Sequence, residues 1–174
     1  MNQTGVFRYA SHQGNVMVQM PYQGGRYAMT LIMPSESGHL ADMFPYFNES
    51  SISQAFGYLQ EQRIRLSVPK FKMEYGINLN ETLKKMGLAS AFTGSADFKA
   101  IALGPLTLSS VVQKSFIEVN EKGSEAAAVT MAMVALTAAP SRQIEHVIFD
   151  RPFYFMISDL TDGTILFAGR ISNL

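Results

Sequence analysis

The sequence predicts an α+β fold dominated by strands, with antiparallel and mixed sheets and a few short helices. Several runs alternate with a period of two, most cleanly around residues 63–67, where Ile64 and Leu66 oppose Arg63, Arg65 and Ser67. Turn dipeptides separate such runs at hairpin spacing, as at Gly24-Gly25 and Asp162-Gly163. Helical spacing, by contrast, is confined to short stretches bounded by Pro or Gly.

Composition narrows the class. At 174 residues the chain can bury one hydrophobic core but is short for two large domains. With 47% apolar and 16% charged residues it is not expected to be disordered. The 14 basic side chains are matched by 14 acidic ones, so no nucleic-acid partner is expected. Cysteine is absent, which excludes thiol nucleophiles, disulfides and thiolate metal sites. The longest apolar run, residues 126–139, is too short for a membrane span and is interrupted by Thr130 and Thr137, so no membrane partner is expected. The first residues, MNQTGVFRYASHQG, lack the basic-then-apolar order of a signal peptide and enter a strand almost at once. Such a start is expected of a truncated gene or a piece cut from something larger.

Residues 6–10 are predicted as a short strand. Strands at 16–22 and 27–33 follow as a hairpin closed by Gln23-Gly24-Gly25-Arg26, where paired glycines supply the positive φ a tight reversal demands. In the second of these, Tyr27, Met29, Leu31 and Met33 share one face and Ala28, Thr30 and Ile32 the other. Both faces are largely apolar, so this strand is expected to be covered on two sides. Residues 34–38 read as a turn. Leu40, Met43, Phe44 and Phe47 then recur at helical spacing, limited by Pro45. Ser50 or Ser51 is expected to cap a second helix with Ile52, Ala55, Phe56 and Leu59 on its buried stripe.

A strand over 63–73 follows, with Ile64, Leu66 and Val68 facing in and Pro69 marking an edge or bend. Asn78-Leu79-Asn80-Glu81 fits an N-cap with an acid three positions later. Leu79, Leu83 and Met86 continue that helix, and Gly87 ends it. A long strand is predicted over 107–120. Two final strands, 147–158 and 164–171, are joined by Leu160-Thr161-Asp162-Gly163.

Catalytic chemistry has no foothold in this pattern. His12, His39 and His146 are widely spaced, and no ligand pair shares a helical turn or a strand alternation, so no metal is expected. No serine sits on a strained strand-to-helix turn, and acids occur singly or beside lysine, as in Glu121-Lys122. Gly24-Gly25 is followed by no helix with a phosphate-reaching lysine. The methionines are spread over every element and read as core filler. The expectation is a protein that is no enzyme and carries no cofactor.

One segment stands out. After a polar hinge at residues 118–125, the alternate positions Ser124, Ala126, Ala128, Thr130, Ala132, Val134 and Leu136 form a row without charge, and its first five members are small. Such a row can slot into a sheet against a core while Glu125, on the other row, stays wet. The same residues also suit a helix. An ordinary surface helix joining two sheets and a loop with a second, inserted conformation are both compatible with the spacing.

The residues Phe116-Ile117-Glu118-Val119-Asn120-Glu121-Lys122-Gly123-Ser124-Glu125-Ala126-Ala127-Ala128 resemble the hinge of the serpins, suicide inhibitors of serine proteases. Asp150-Arg151-Pro152-Phe153-Tyr154-Phe155-Met156-Ile157, with residues 163–173, resembles that family's C-terminal signature. Phe7-Arg8-Tyr9, Pro21-Tyr22 with Gly24-Gly25, Val68-Pro69-Lys70-Phe71 and residues 79–88 agree. The resemblance runs in order over essentially the whole chain and is to the C-terminal half of the family. Residues 1–174 thus read as a partial, serpin-like C-terminal portion lacking the N-terminal half, with hinge and reactive loop at 121–142.

What the resemblance implies is a mechanical inhibitor: a protease cuts an exposed loop, and the freed strand inserts into the main sheet before the acyl-enzyme is hydrolysed. Glu121, Gly123, Ser124, Glu125, Ala126, Ala127, Ala128 and Thr130 would form the hinge, with Ser124, Ala126, Ala128 and Thr130 buried on insertion. Val129 departs from the family's small residue but belongs to the outward row. Counting forward from Gly123 places the scissile bond near Leu136 or Thr137, with Ala138 beside them; counting back from Pro152 places it near Ser141 or Arg142. The first placement, preferred because the hinge length governs strand travel, implies an elastase-, chymotrypsin- or subtilisin-like partner, and Arg142 a trypsin-like one. A complementary N-terminal half, or self-association through exposed strand edges, is the other partner expected. The alternative function is a non-inhibitory binding or structural protein, or an inactive fragment. The resemblance implies an extracellular or cell-envelope location, with a cytoplasmic one left open by the missing signal peptide.

Overall fold

Paired glycines and alternating apolar residues set up the central hairpin. Gly24 and Gly25 adopt φ of 88° and 71°, and the Gly25 N–H donates to the Tyr22 carbonyl at 3.0 Å, so the chain reverses where the sequence predicts. A computed structural model describes residues 1–12, 14–36, 38–46, 48–101, 104–120 and 144–173. In chain order its strands are β1 (Asn2–His12), β2 (Asn15–Pro21), β3 (Tyr27–Met33), β4 (Gln60–Ser67), β5 (Phe71–Asn78), β6 (Val112–Val119), β7 (Glu145–Ile148), β8 (Phe153–Asp159) and β9 (Ile165–Ile171). The chain divides into two units, Met1–Lys70 with Asn120–Leu174, and Phe71–Val119.

Among the described residues of the first unit, seven strands form one mixed sheet in the order β7-β4-β1-β2-β3-β8-β9. β3 lies between β2 and β8, antiparallel to both, and is buried from Ala28 to Met33. Coverage on two sides is thus the observed state. Val18, Leu31, Ile64 and Phe153 are fully buried. A polar line crosses the same sheet: the Arg8 guanidinium donates to Gln19 Oε1 at 2.9 Å, and Gln19 Nε2 donates to Thr30 Oγ1 at 3.2 Å. Buried Gln19 and Thr30 thereby satisfy each other.

A 3₁₀ turn (Leu40–Tyr46) leads to helix α1 (Glu49–Gly57). Ile52, Ala55 and Phe56 of α1 pack as predicted on a cluster of Met17, Ile32, Leu59 and Met156, while Leu59, expected on the helix, lies two residues past its end. Its cap is not Ser50 or Ser51: Asn48 Oδ1 accepts the Ser51 N–H at 3.0 Å. Asn48 holds extended backbone, as an N-cap must, whereas Ser50 and Ser51 are already helical. Phe47 lies outside the described residues.

Two predicted strands are each two strands. The run 63–73 breaks at Val68-Pro69-Lys70, because Pro69 offers no N–H to continue a ladder. Its halves, β4 and β5, belong to different sheets. The run 147–158 breaks at Asp150-Arg151-Pro152 for the same reason, leaving β7 beside β4 and β8 beside β3. Conversely, β1 is longer than 6–10, since residues 2–9 pair with β4 and residues 8–12 with β2.

The second unit pairs β5 with β6, antiparallel, from Phe71↔Val119 to Asn78↔Val112. Helix α2 (Asn80–Leu83) starts two residues after Asn78, which serves it from outside: Asn78 Oδ1 accepts the Asn80 N–H at 2.9 Å. Gly87, at φ 100°, breaks the helical path as predicted. The predicted strand from 107 begins only at Val112, because the Val111 N–H is taken by Asn80 Oδ1 and its carbonyl by the Leu79 N–H.

A Cβ at Gly169 would stand 2.5 Å from Cζ of Phe155, directly across the β8–β9 ladder. Gly169→Ala is therefore expected to destabilise the fold by about 2 kcal/mol, the usual cost of overpacking. A urea melt with unchanged midpoint would contradict this packing.

Candidate functional site

The predicted hinge, Glu121, Gly123, Ser124, Glu125, Ala126, Ala127, Ala128 and Thr130, lies outside the described residues. So do Leu136, Thr137, Ala138, Ser141 and Arg142 of the candidate scissile region. The structure describes the two strands between which they run in sequence, β6 before and β7 after.

β6 alternates exposed and half-buried positions, with Phe116 54% exposed and Lys72 Nζ 5.2 Å from its ring centroid. Among the described residues its strand neighbour is β5.

β7 is a short parallel strand at the end of its sheet, in register Ile64↔Glu145 through Ser67↔Ile148. Four residues of slanted parallel pairing are weak by themselves, and side chains add to them. The Tyr9 hydroxyl donates to Glu145 Oε1 at 2.6 Å, and Gln62 Nε2 donates to Glu145 Oε2 at 2.9 Å. Both oxygens of one carboxylate are thus held by β1 and β4. One residue on, the Ser67 hydroxyl and His146 Nε2 share a hydrogen bond at 2.8 Å. The Phe149 N–H donates to the Ser67 carbonyl at 2.9 Å just beyond the strand. Burial first, and then the bond to anionic Glu145, pushes the Tyr9 hydroxyl up to about 12.

At the opposite side of the sheet, Asp159 ties the β8–β9 turn to the β2–β3 hairpin. It accepts from the Thr161 N–H at 2.9 Å and from Arg26 at 2.8 Å. The Thr161 N–H foremost, and then Arg26, hold its carboxyl below the usual carboxylate range against the opposing effect of burial.

His12 stacks on Tyr58 with ring centroids 6.0 Å apart, while His146 bonds Ser67. Among the described residues no group of three His, Cys, Asp or Glu could hold a metal ion, and no helix is long and apolar enough to cross a membrane. The clamp of Tyr9, Gln62, Ser67, Glu145 and His146 was not anticipated, because the predicted strand began only at Val147. Glu145 and His146, two polar residues in succession, offer no period of two that would have extended it.

The model of the family described as "Serpin (serine protease inhibitor)" matches residues 1–174. The chain belongs to the serpin family. It is 38% identical over 176 residues to an uncharacterised serpin-like protein of Thermococcus kodakarensis, covering 99% of this chain and 41% of that protein. Serine protease inhibitor 2 of Anopheles gambiae is 34% identical over 181 residues, 99% of this chain and 44% of its own. Tengpin, a thermophilic serpin solved in its native state, is similar at a TM-score of 0.75 and 30% identity, with 100% of this chain and 46% of that one covered. This serpin chain thus spans about two-fifths of the length of the curated relatives it matches.

In the serpin chain the Tyr9–Glu145 bond is testable by pH. A hydroxyl whose folded pKa is raised contributes stability that is fully present below pH 10 and lost as pH climbs towards about 12. Tyr9→Phe is expected to cost about 1 kcal/mol at neutral pH and to remove that part of the alkaline loss. The check is amide exchange at residues 145–148 with thermal melts from pH 8 to 11.5; identical profiles for both proteins would exclude the tether.

Proposed function

We propose that this chain supplies the inhibitory end of a serpin, a suicide substrate for a serine protease acting through residues 121–142. The observation that carries the reading is the uncharged alternate row Ser124, Ala126, Ala128 and Thr130, which begins five residues after the end of β6. β6 pairs with β5 along one edge. On this reading its other edge receives the loop.

The protease serine Oγ adds to the carbonyl carbon of the scissile residue, and its proton passes through the protease histidine to the departing amine. The scissile C–N bond breaks, leaving an ester between the loop and the protease. The freed segment then leaves water and pairs with β6, small side chains facing the core. Each new backbone hydrogen bond formed out of water favours insertion, and a charge in the buried row would oppose it. Leu136, Thr137 or Ala138 as scissile residue favours elastase-, chymotrypsin- or subtilisin-like proteases; Ser141 or Arg142 moves the preference, with Arg142 selecting a trypsin-like pocket. Such an encounter belongs outside the cell or at its envelope.

A second reading is a non-inhibitory or inactive piece that needs a complementary N-terminal portion. It is favoured by the coverage of about two-fifths and by exposed Tyr75, Val112 and Phe116 on β5 and β6. In that case self-association through strand edges is expected.

The test mixes the natural full-length product with each protease class and looks for a covalent complex that survives SDS. A trapped enzyme supports inhibition; cleavage with every protease left active rejects it and favours the second reading. Thr130→Arg is expected to convert inhibitor into substrate, lowering the trapped fraction at least tenfold while cleavage continues.

A further inference from the structure

We propose that the outward face of β1, β4 and β7 is a docking surface for an acidic patch on the body of the target protease, away from its active-site cleft. The identity of the partner rests on the inhibitory reading above; the surface itself rests on the following geometry. Along β4, Ile64 and Leu66 are buried and Arg63 and Arg65 are exposed, so the period of two sends both guanidinium groups to the same open side. Registration places Arg65 beside Thr4 of β1 and His146 of β7, and Arg63 beside Val6. Arg8, at the margin, faces Glu61. Among the described residues no ion pair joins Arg63 or Arg65 to a carboxylate. Like charges close together on one face repel, and an external carboxylate would turn that repulsion into attraction.

The rest of the face favours a protein over a polyanion. Val6 and Ile148 stand 46% and 45% exposed around the arginines, and arginine mixed with apolar area is the composition of protein interfaces. Binding to a polyanion draws on many phosphate or sulfate contacts, whereas Glu61 lies within this face and Arg8 already donates to Gln19. Position favours the protease in particular. Arg142 precedes Glu145 by three residues, which span at most about 10 Å when extended. Even from Leu136 the chain reaches at most about 30 Å, so an enzyme gripping the candidate scissile region is kept close to β7.

The experiment measures association of the natural full-length product with elastase-, chymotrypsin-, subtilisin- and trypsin-like proteases whose nucleophilic serine is replaced by alanine, with heparin as a separate probe. For the proteases of acidic surface, Arg63→Glu with Arg65→Glu is expected to slow association about tenfold at low ionic strength and to flatten its salt dependence. Thr4→Arg, on the same face, is expected to speed it. Thermal melts verify that each variant is folded. Unchanged association of the folded double variant overturns the proposal. Loss of heparin binding with protease association intact also overturns it, in favour of a polyanion site. Association with inactivated enzyme needs no trapping, so a protein that forms no covalent complex but still shows the charge effect keeps the docking face and loses only the inhibitory mechanism.

Discussion

The pairing of β3 with β8 is the constraint on which the large sheet depends. It joins residues 27–32 to residues 154–159 across most of the chain's length, and both strands are largely buried. A strand covered on two faces has no polar side to offer water, so a shift of register by one residue gains nothing from solvent and loses packing on both sides. With β3 and β8 locked, β9 is placed on one side and β2, β1, β4 and β7 follow on the other. Asp159 and Arg26 fasten the end of this ladder where two turns meet.

β7 is the element with least backbone support in that order. Among the described residues this parallel strand of four residues pairs only with β4, and its stability rests on the Glu145 carboxylate and the Ser67–His146 contact as much as on the ladder. On the proposed inhibitory reading, a loop that is cut needs a firm attachment on its C-terminal side, and these polar side-chain bonds would supply it without adding length. β6, by contrast, is anchored along its whole length to β5. The proposed inhibitory movement would draw on this asymmetry: a long strand paired to β5, and a short one pinned by side chains.

β4 shows how one alternation serves two purposes. Its even positions, Ile64 and Leu66, belong to the core, and its odd positions, Arg63 and Arg65, belong to solvent. The core positions need only be apolar and of suitable volume. The outward ones are unconstrained by packing, which makes two arginines without an ion pair among the described residues a feature that the fold itself does not require.

The sequence by itself determined the hairpin at Gly24-Gly25, the two-sided burial of β3, the α1 stripe, the break after Gly87 and, through the motifs around Phe116 and Asp150, the family. These signals are local: positive φ, period, and contiguous residue strings. It determined less where the outcome depended on partners distant in the chain. Whether Pro69 and Pro152 bend a strand or divide it between neighbours depended on which ladders were available on either side. The two roles of Asn78 and Asn80, like the replacement of Ser50 by Asn48 as a cap, were decided by competing acceptors of similar chemistry within a few residues. The clamp on β7 was settled by tertiary structure alone, because Tyr9, Gln62 and Glu145 meet only when β1, β4 and β7 lie side by side, and no spacing along the chain records that meeting.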